Sequence, residues 1–485
     1  FSFIVAPLEM YALVARFLRW MSLRRLCASK QGARKSPFDK LERPDVSQRK
    51  APLVTISNLK VSQPGPTPGV SRGGTEFDVI VLGAGLNSLN VTNAFHAAYG
   101  MRCLTVMRTP VAMNERTVTS AHLAIGAGAS EEDLKNALVE VAKAREVKRP
   151  TLLLANADSF ISFIDTYRAE LEEHYLLAQV DSEKLAKLSD KAHFQEACTE
   201  IGIPTIPTEV VDFSRYGSAD FNAPAKLPWA FPVIGKPANT ADYARIKFPG
   251  KRKVFLLNSH EEYEELVGAL DDAGFKGRFL FQELIEGDDT SEYSITGYRS
   301  RTGGVTLTCA AQVLLGEHTP DALGRPAAML TGPHTRIVEQ FEKLLDHVDY
   351  VGFANVDLKV DPKSGTAYFL ELNPRLGRNN YYVTAAGGSY PEHVVADFID
   401  NAPLARVRAA DQHLYSILPT WLVKRYVTEP ELRAQLSAAI RDHGVDNPYR
   451  YASEGAWMRG FALASGLRQV QKFRKYYPKA TKTGF

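Results

Sequence analysis

The segment from Phe77 to Gly100, FDVIVLGAGLNSLNVTNAFHAAYG, is the feature that most constrains the fold of this chain. An apolar run, Val79–Leu82, meets the turn Gly83-Ala84-Gly85, and a helix-like segment follows it. Glycines allow the backbone to pass tightly from a buried strand into a helix. The segment therefore predicts a strand–turn–helix unit of a mostly parallel sheet covered by helices.

A similar turn opens the dinucleotide site of NAD and FAD enzymes, so an oxidoreductase is the first alternative. That site requires a third glycine shortly after the second and an acid at the end of the next strand. The chain has Ser88 in the first of these places, and its second apolar run, CLTVMRT, contains Arg108 where the acid belongs. An NAD(P)- or FAD-dependent oxidoreductase stays as an alternative that cofactor binding would support.

Further strands and helices follow the turn. We expect strands at Cys103–Met107 and at TLLLAN, and a helix from about Ser130 to Arg145 that begins with a capping pair. From about Ser189 to Asp400, β-rich runs alternate with helices and form antiparallel pairs such as EYSITGYRS with GGVTLTCAAQVLL. The predicted fold class is α/β followed by α+β, with a Rossmann-like domain first.

Composition divides the chain into four regions. Residues 1–75 are basic and end in a Pro- and Gly-rich run, which predicts an extension or linker. Residues 76–188 and 189–402 are the two expected folded domains, and residues 403–485 are expected to be helical and basic. The opening FSFIVAPLEMYALVARFLRW is too charged for a membrane span, which leaves a surface amphipathic helix or a disordered extension as alternatives.

Charge and cysteine content exclude some classes of function. A net charge of +3 does not indicate a nucleic-acid partner. The four cysteines are widely spaced and lack the spacing of metal ligands, which is typical of reduced thiols in a cytoplasmic protein. We therefore expect a cytoplasmic protein that does not bind nucleic acid.

The run VGFANVDLKVDPKSGTAYFLELNPRLGRNN is the strongest indication of chemistry. It predicts two strands joined by a turn at Asp361–Gly365. Because alternate residues of a strand share a face, Glu371 projects with Asn373, and Asp357 projects with Asn355 and Lys359. If the register places the two carboxylates together, a cation between them offsets their repulsion, and all-oxygen ligands suit Mg²⁺. A hairpin whose acids simply face water is the alternative.

Two other segments suit a nucleotide. Lys236 ends the apolar strand of WAFPVIGKPAN, where its charge can meet a phosphate. The strand GRFLFQELIEGDD runs into the linker Gln282–Ile285, whose backbone can pair with an adenine edge. Asp288 or Asp289 then follows as an acceptor for ribose hydroxyls.

The order of these motifs resembles that of the ATP-grasp superfamily over about Asp190 to Asp400. The order runs through DK at Asp190-Lys191, IGIPTIPT, Lys236, FQELIEG, Asp357 and ELNPR. The runs GAGLNSLNVTNAFHAAYG, ELNPRLGRNN and NPYRYASEGAWMRGF are similar to carboxylate–amine ligases of the D-aspartate ligase group. One departure is the loop after Lys236, which carries Arg245, Lys247, Lys251 and Arg252 where a phosphate-covering loop is often glycine-rich.

The resemblance implies a role for each matching residue. It implies that the ATP site comprises Lys191, Lys236, Gln282, Glu283, Leu284, Ile285, Asp288 and Asp289. It implies Mg²⁺ ligands, with Mn²⁺ as a substitute, at Asp357, Glu371 and Asn373, and catalytic residues at Arg375 and Lys236. It implies substrate contacts at Gly83, Gly85, Asn87, Arg375, Arg378 and Asn379.

The resemblance also implies an activity. A substrate carboxylate, such as that of D-aspartate, is activated by ATP as an acyl phosphate and joined to an amine of a peptidoglycan precursor. The expected partners are these small molecules, the amine being lipid- or nucleotide-linked, with a peripheral membrane contact at the inner face and a homodimer as further expectations. A dipeptide or other small-molecule ligase and a non-catalytic nucleotide sensor are the alternatives.

Overall fold

The computed structural model describes residues 65–481 except 190, 219–220, 222, 239–242, 244 and 321. The predictions for the N-terminal segment and for Asp190 lie outside the described residues. Among the helices that are described, none is long and apolar enough to cross a membrane.

The first sheet contains the three strands that the sequence predicts in this region, together with three further strands. Its strands run β4-β3-β2-β5-β6 in parallel, and β1 pairs antiparallel with β2. The strands are β1 Gly69–Val70, β2 Glu76–Leu82, β3 Cys103–Met107, β4 Ser120–Ala124, β5 Thr151–Ala155 and β6 Leu176–Leu177. Its helices are α1 Leu86–Tyr99, α2 Ala112–Arg116, α3 Glu131–Lys143, α4 Asp158–Thr166 and α5 Arg168–Glu172.

The glycine turn between β2 and α1 has the geometry that its sequence predicts. Gly83 and Gly85 have φ angles of 111° and 87°, a region that side chains disfavour. A Cβ atom on Gly83 would lie 2.0 Å from Oδ1 of Asn156, so the position has no room for a side chain. Helix α3 likewise begins as expected, with a capping box between Ser130 and Asp133.

A second, smaller sheet is antiparallel and has an aromatic core. Its order is β7-β10-β8-β9, from β7 Thr208–Asp212, β8 Val233–Pro237, β9 Phe255–Leu257 and β10 Arg278–Glu283. Helix α8, His260–Asp272, covers it, and α6, Ser182–Ser189, and α7, Lys191–Glu200, precede it. Phe213, Phe275, Phe279 and Phe281 are almost fully buried in this core.

The third sheet forms the largest layer and bears the acidic hairpin. Its order is β15-β14-β11-β12-β13-β17, with β16 parallel to β12. The strands are β11 Glu292–Arg299, β12 Val305–Glu317, β13 Arg325–Thr331, β14 Gly352–Val360, β15 Ala367–Asn373, β16 Val407–Ala409 and β17 Leu414–Ser416. Helices α9 Thr335–His347, α10 Tyr381–Ala385 and α11 Tyr390–Phe398 accompany it, and the strongly amphipathic α9 buries Phe341 and Leu344.

The C-terminal region is joined to both large sheets. It contributes strands β16 and β17 before helices α12 Thr420–Tyr426, α13 Pro430–His443 and α14 Ala456–Tyr476, so the expectation of a helical region misses two short strands. Asn93 of α1 donates to the carbonyl of Pro448, and Lys472 of α14 lies 3.4 Å from Glu317 of β12. The region therefore packs against the first sheet and the third sheet together.

Candidate functional site

The acidic hairpin brings the two predicted carboxylates together. Asp357 and Glu371 are directly opposite in the β14–β15 register, and a bulge follows because Leu358 pairs with Phe369. Ser294 donates to Oδ1 of Asp357 at 2.9 Å. Burial first, and then the charge of Glu371, raise the pKa of Asp357 to about 6. Two carboxylates this close repel each other, and a bound cation would offset that repulsion.

Three lysines face this acidic pair. Lys191 Nζ lies 3.3 Å from Oε2 of Glu371, and Lys236 projects from β8 of the second sheet. Burial disfavours the charged form of Glu371, but Lys191, Lys236 and Lys253 outweigh burial and hold its pKa below the usual value. Burial, together with the charges of Lys191 and Lys253, lowers the pKa of Lys236 to about 7. Lys253 was not predicted from the sequence, although its neighbours Lys251 and Arg252 were.

The donors on the hairpin fit a magnesium ion. Asp357 and Glu371 offer carboxylate oxygens. Nδ2 of Asn373 lies 3.3 Å from Oδ2 of Asp357, and Oδ1 of Asn373 accepts a hydrogen bond from Arg375. The described residues contain no group of three or more His, Cys, Asp and Glu that could hold a metal alone. Mg²⁺ binds through one or two carboxylates together with substrate phosphates, so the two acids and the amide suit it.

A cavity of about 270 Å³ lies between the second sheet and the hairpin. We call it the smaller cavity. Its lining includes predicted ATP-site residues, which are Lys191, Lys236, Gln282, Glu283, Leu284, Ile285 and Asp289, and also Asp357 and Glu371. The side chain of Gln282 is tied down because its Nε2 donates to Thr208 Oγ1 at 2.7 Å. The structure therefore groups these predicted residues around one space.

The two alternatives for the ribose acid occupy different environments. Asp288 accepts hydrogen bonds from the amide and the hydroxyl of Thr290, which lies in the same turn. Asp288 is absent from the described lining of the smaller cavity. Asp289 lines the cavity, and its Oδ2 accepts from the Gly316 amide at 2.8 Å and lies 2.9 Å from His318 Nε2. The geometry thus favours Asp289 over Asp288.

An ionisable pair that the sequence did not predict also lines this cavity. Glu292 and Lys359 stand opposite each other in the β11–β14 register. Burial first, and then Asp289, raise the pKa of Glu292 to about 8. In the sequence, Glu292 follows an acidic turn, which suggests that it is exposed to solvent. Only the pairing of distant strands reveals that Glu292 lies opposite Lys359.

A large cleft of about 1730 Å³ opens beside the smaller cavity. It lies between the carboxyl ends of the first sheet and the acidic hairpin. The two spaces share Lys191, Lys253, Gly324, Pro326, Asp357 and Glu371 in their linings. The acidic pair therefore stands at the junction between the two spaces.

Arg375 lies in the large cleft and is held by an acid from the opposite wall. Its Nε and Nη2 donate to Oδ1 and Oδ2 of Asp158, at 2.7 and 2.9 Å. Nη2 also donates to Asn373 at 3.2 Å. Asp158 was not recognised in the sequence, since it begins a helix 217 residues away.

The other expected substrate residues, Arg378 and Asn379, differ in the partners that already engage their side chains. Arg378 lines the cleft and pairs with Glu317 at 3.0 Å. Asn379 also lines it, but its amide donates to the carbonyl of Pro326 and accepts from Tyr415. Asn379 is therefore held as part of the cleft wall.

The glycine turn contributes its later residues to the cleft. Gly85 and Asn87 line it, whereas Gly83 is absent from the described lining and faces Asn156. The Gly85 amide donates to Oδ1 of Asn114 at 2.6 Å, so this amide is already engaged. Asn87 donates to the carbonyl of Asn156 at 2.7 Å, which fixes its side chain at the cleft.

The basic loop after Lys236 is partly held by its own backbone. Lys251 donates to the carbonyls of Tyr243 and Ile246 at 2.7 and 2.6 Å. Lys251, Arg252 and Lys253 all line the large cleft, and Lys253 also lines the smaller cavity. The loop therefore brings positive charge to both spaces, as its composition suggested.

Known proteins resemble this chain over the same region. The family model "Carbamoyl-phosphate synthase L chain, ATP binding domain" matches residues 190–391. D-aspartate ligase of Enterococcus faecium is 25% identical over 414 residues, which cover 84% of this chain and 96% of that protein. The carbamoyl phosphate synthase large chain of Nostoc sp. is 26% identical over 273 residues, covering 53% of this chain and 23% of that protein. The chain thus spans about a quarter of that second relative.

A solved structure is also similar. The ADP complex of N5-carboxyaminoimidazole ribonucleotide synthetase has a TM-score of 0.49 and 17% identity, with 72% of this chain and 82% of that chain covered. The family match covers the smaller cavity, the acidic hairpin and Arg375. The family match and the ordered motifs thus both point to an ATP-grasp domain over residues 190–391, and the sequence matches indicate an ATP-dependent ligase that forms carbon–nitrogen bonds.

Proposed function

We propose that this protein activates the carboxylate of an amino acid, D-aspartate first among them, as an acyl phosphate and joins it to an amine. The amine we propose is the side-chain amine of a peptidoglycan precursor. The products are then an amide, ADP and phosphate. Similarity to D-aspartate ligase over 96% of that protein supports the choice of substrates.

One observation carries the proposal. The opposed pair Asp357 and Glu371 stands at the junction of the smaller cavity and the large cleft, with Lys191 and Lys253 lining both spaces. This arrangement suits a phosphoryl group that leaves a nucleotide in one space and enters a substrate in the other. Phosphoryl transfer depends mainly on positioning and on charge neutralisation, and these side chains supply both.

The proposal assigns a part of the reaction to each region. Residues 76–188 would form a Rossmann-like domain that faces the carboxylate and amine substrates with Gly85 and Asn87. Residues 189–402 would form the ATP-grasp domain, whose two sheets enclose ATP, and residues 403–485 would support both. The smaller cavity would receive adenine and ribose beside Leu284, Ile285 and Asp289.

The chain's own residues would perform the following steps. Lys191, Lys236 and Lys253 hold the phosphates in line with the substrate carboxylate, whose oxygen attacks the γ-phosphorus. Arg375 holds the acyl phosphate that forms, until an amine displaces its phosphate. Asp357, Glu371 and Asn373 would hold Mg²⁺, which neutralises charge on the phosphate oxygens when it is bound.

A trapping experiment tests the proposed function. The protein is incubated with ATP, Mg²⁺ and a panel of D- and L-amino acids, with hydroxylamine to capture an acyl phosphate as hydroxamate. We expect ADP and hydroxamate with D-aspartate, and activity when Mn²⁺ replaces Mg²⁺. If no carboxylate yields ADP and hydroxamate, the proposal is wrong. ADP without hydroxamate would indicate hydrolysis of ATP and would also contradict it.

A further inference from the structure

We propose that Asp158 is the carboxylate that receives the amine substrate in the large cleft and accepts a proton from it. The inference rests on the proposed function, because it assigns a residue to the second half of that reaction. It names a catalytic group that neither the motif order nor the family match covers, since Asp158 lies before residue 190.

The contact between Asp158 and Arg375 places this carboxylate beside the residue proposed to hold the acyl phosphate. Both carboxylate oxygens accept from the guanidinium, at 2.7 and 2.9 Å. Arg375 follows the acidic hairpin, whereas Asp158 begins α4 at the end of the first sheet. The pair therefore joins the two walls of the cleft at the place proposed for the acyl phosphate.

The exposure of the pair allows it to exchange partners. The side chain of Asp158 is 68% exposed and that of Arg375 is 15% exposed. The pair is bidentate, so its separation costs free energy that new ion pairs with the two reactants must offset. Asp158 is exposed enough to meet such a partner. Two ligand charges can then replace it, since an acyl phosphate matches Arg375 and an ammonium group matches Asp158. The site is thus complementary to both reactants of the second step.

The other acids that line the described part of the cleft have different partners. Asp357 and Glu371 face the lysines and the proposed metal. Asp212 accepts from both the amide and the hydroxyl of Ser214, at the second sheet. Among the described side chains, Asp158 pairs with the arginine that the acyl phosphate would engage and with no other, so it is the acid best placed for an ammonium group.

The first sheet fixes where Asp158 stands. The carbonyl of Asn156 accepts from Asn87 at 2.7 Å, and the side chain of Asn156 donates to Ser88. These contacts tie the segment that leads to Asp158 to the glycine turn. The amine would therefore enter along the carboxyl ends of β2 and β5, on the side of the cleft away from the nucleotide.

Two protons leave the nitrogen during the proposed amide formation. The ammonium group gives one proton to the Asp158 carboxylate, which passes it to solvent, and the neutral nitrogen attacks the acyl carbon. A C–N bond forms and the C–O bond to phosphate breaks, with its electron pair leaving on the phosphate. The second proton that the nitrogen loses goes to that phosphate. One ammonium and one acyl phosphate thus give one amide, one hydrogen phosphate and one proton.

The test separates the two half-reactions in the full-length protein. Hydroxylamine is mostly uncharged at neutral pH, so its capture of the acyl phosphate needs no base. For Asp158→Asn we expect hydroxamate formation within about twofold of the unaltered protein. With an L-lysine-containing peptide as the amine we expect amide formation to fall about a hundredfold, as loss of a general base does. Asp158→Glu should recover part of this loss, which a purely structural role would not predict.

Controls make the outcome specific. Glu170→Gln changes an exposed acid on α5, outside the described lining of the cleft, and should leave both half-reactions unchanged. Amide formation by Asp158→Asn at the unaltered rate would overturn the inference. Equal loss of hydroxamate and amide would overturn it too, because Asp158 would then act only through Arg375. Failure of the unaltered protein to form hydroxamate would instead show that the proposed function is wrong.

Discussion

The imidazole of His318 lies parallel to the phenol ring of Tyr477, with ring centroids 3.5 Å apart and 3° between the planes. The same imidazole lies 2.9 Å from Oδ2 of Asp289, the acid that lines the smaller cavity. Tyr477 directly follows α14, and its carbonyl accepts from the hydroxyl of Tyr426. The C-terminal region therefore supports a residue of the proposed ribose site.

Removing this support should weaken ATP binding. Tyr477→Ala removes a stacked aromatic contact worth about 0.5–1.5 kcal/mol, which corresponds to a rise of about two- to thirteenfold in the KM for ATP. Steady-state kinetics with varied ATP measure the effect. Tyr476→Ala is the matched control, because Tyr476 is the adjacent residue and is 42% exposed. Equal KM values for the two variants would show that the stack does not support Asp289.

The acidic pair should be needed for turnover but not for folding. Asp357→Asn keeps the shape of the side chain and removes charge from the proposed metal site, so we expect a loss of about a hundredfold or more in kcat. Asp361→Asn on the same hairpin is a control, since Asp361 only accepts from its own turn, at Lys363 and Ser364. Asparagine keeps an oxygen that accepts in this turn, so Asp361→Asn should leave both stability and kcat nearly unchanged. If Asp357→Asn releases phosphate at the unaltered rate, Asp357 does not hold a catalytic metal ion.

Binding of ATP should be coupled to uptake of a proton at Lys236. The pKa of this amine is about 7 in the ligand-free site, mainly through burial, so it is mostly neutral at pH 8. Triphosphate charge beside it raises the pKa and draws in up to one proton. Calorimetry at pH 8 in buffers of different ionisation enthalpy measures this uptake.

Two variants test which residue takes up that proton. Lys236→Met should abolish most of the uptake. Glu292→Gln removes the other group of the smaller cavity that titrates nearby, with a pKa of about 8, and should leave the contribution of Lys236 in place. Unchanged proton uptake in Lys236→Met would show that the proton binds elsewhere.

Local patterns predicted the hairpin well, because strand periodicity is a local property. The alternation around Glu371 and Asn373 and the turn at Asp361–Gly365 identified two facing strands, and the register confirms that Asp357 opposes Glu371. The bulge after Asp357 has no signal in the sequence, since Leu370 fits a regular strand as well as a bulged one. The pairing of the acids was therefore predictable, and the distortion beside them was not.

Residues that depend on distant contacts were missed. Lys253 faces the acids only because the second sheet folds over the hairpin, and Asp158 meets Arg375 from another sheet. Strands β4, β16 and β17 are short and lack a marked alternation, so only their pairing with longer strands defines them. The order of the motifs thus identified the residues that lie on those motifs. Residues that meet across the cleft could be identified only from the structure.

Acid should destabilise the fold through His393. This side chain of α11 is 3% exposed and lies 3.0 Å from Thr306 Oγ1. Burial first, and then the charge of Arg72, lower its pKa from 6.5 to about 4. Between these values the unfolded chain binds a proton that the folded chain does not, so stability falls as the pH drops from 6.5 to 4. The loss from this group approaches about 3 kcal/mol at pH 4.

Two variants separate the titration from the hydrogen bond. His393→Asn lowers stability at pH 7.5 but removes the titrating group, so its deficit relative to the unaltered protein should shrink as the pH falls to 4.5. Thr306→Val removes the hydrogen bond and keeps the buried imidazole, so its deficit of about 1 kcal/mol should persist across the same range. Urea midpoints at both pH values measure these differences. If acid lowers the midpoint of His393→Asn as much as that of the unaltered protein, the acid sensitivity comes from other groups.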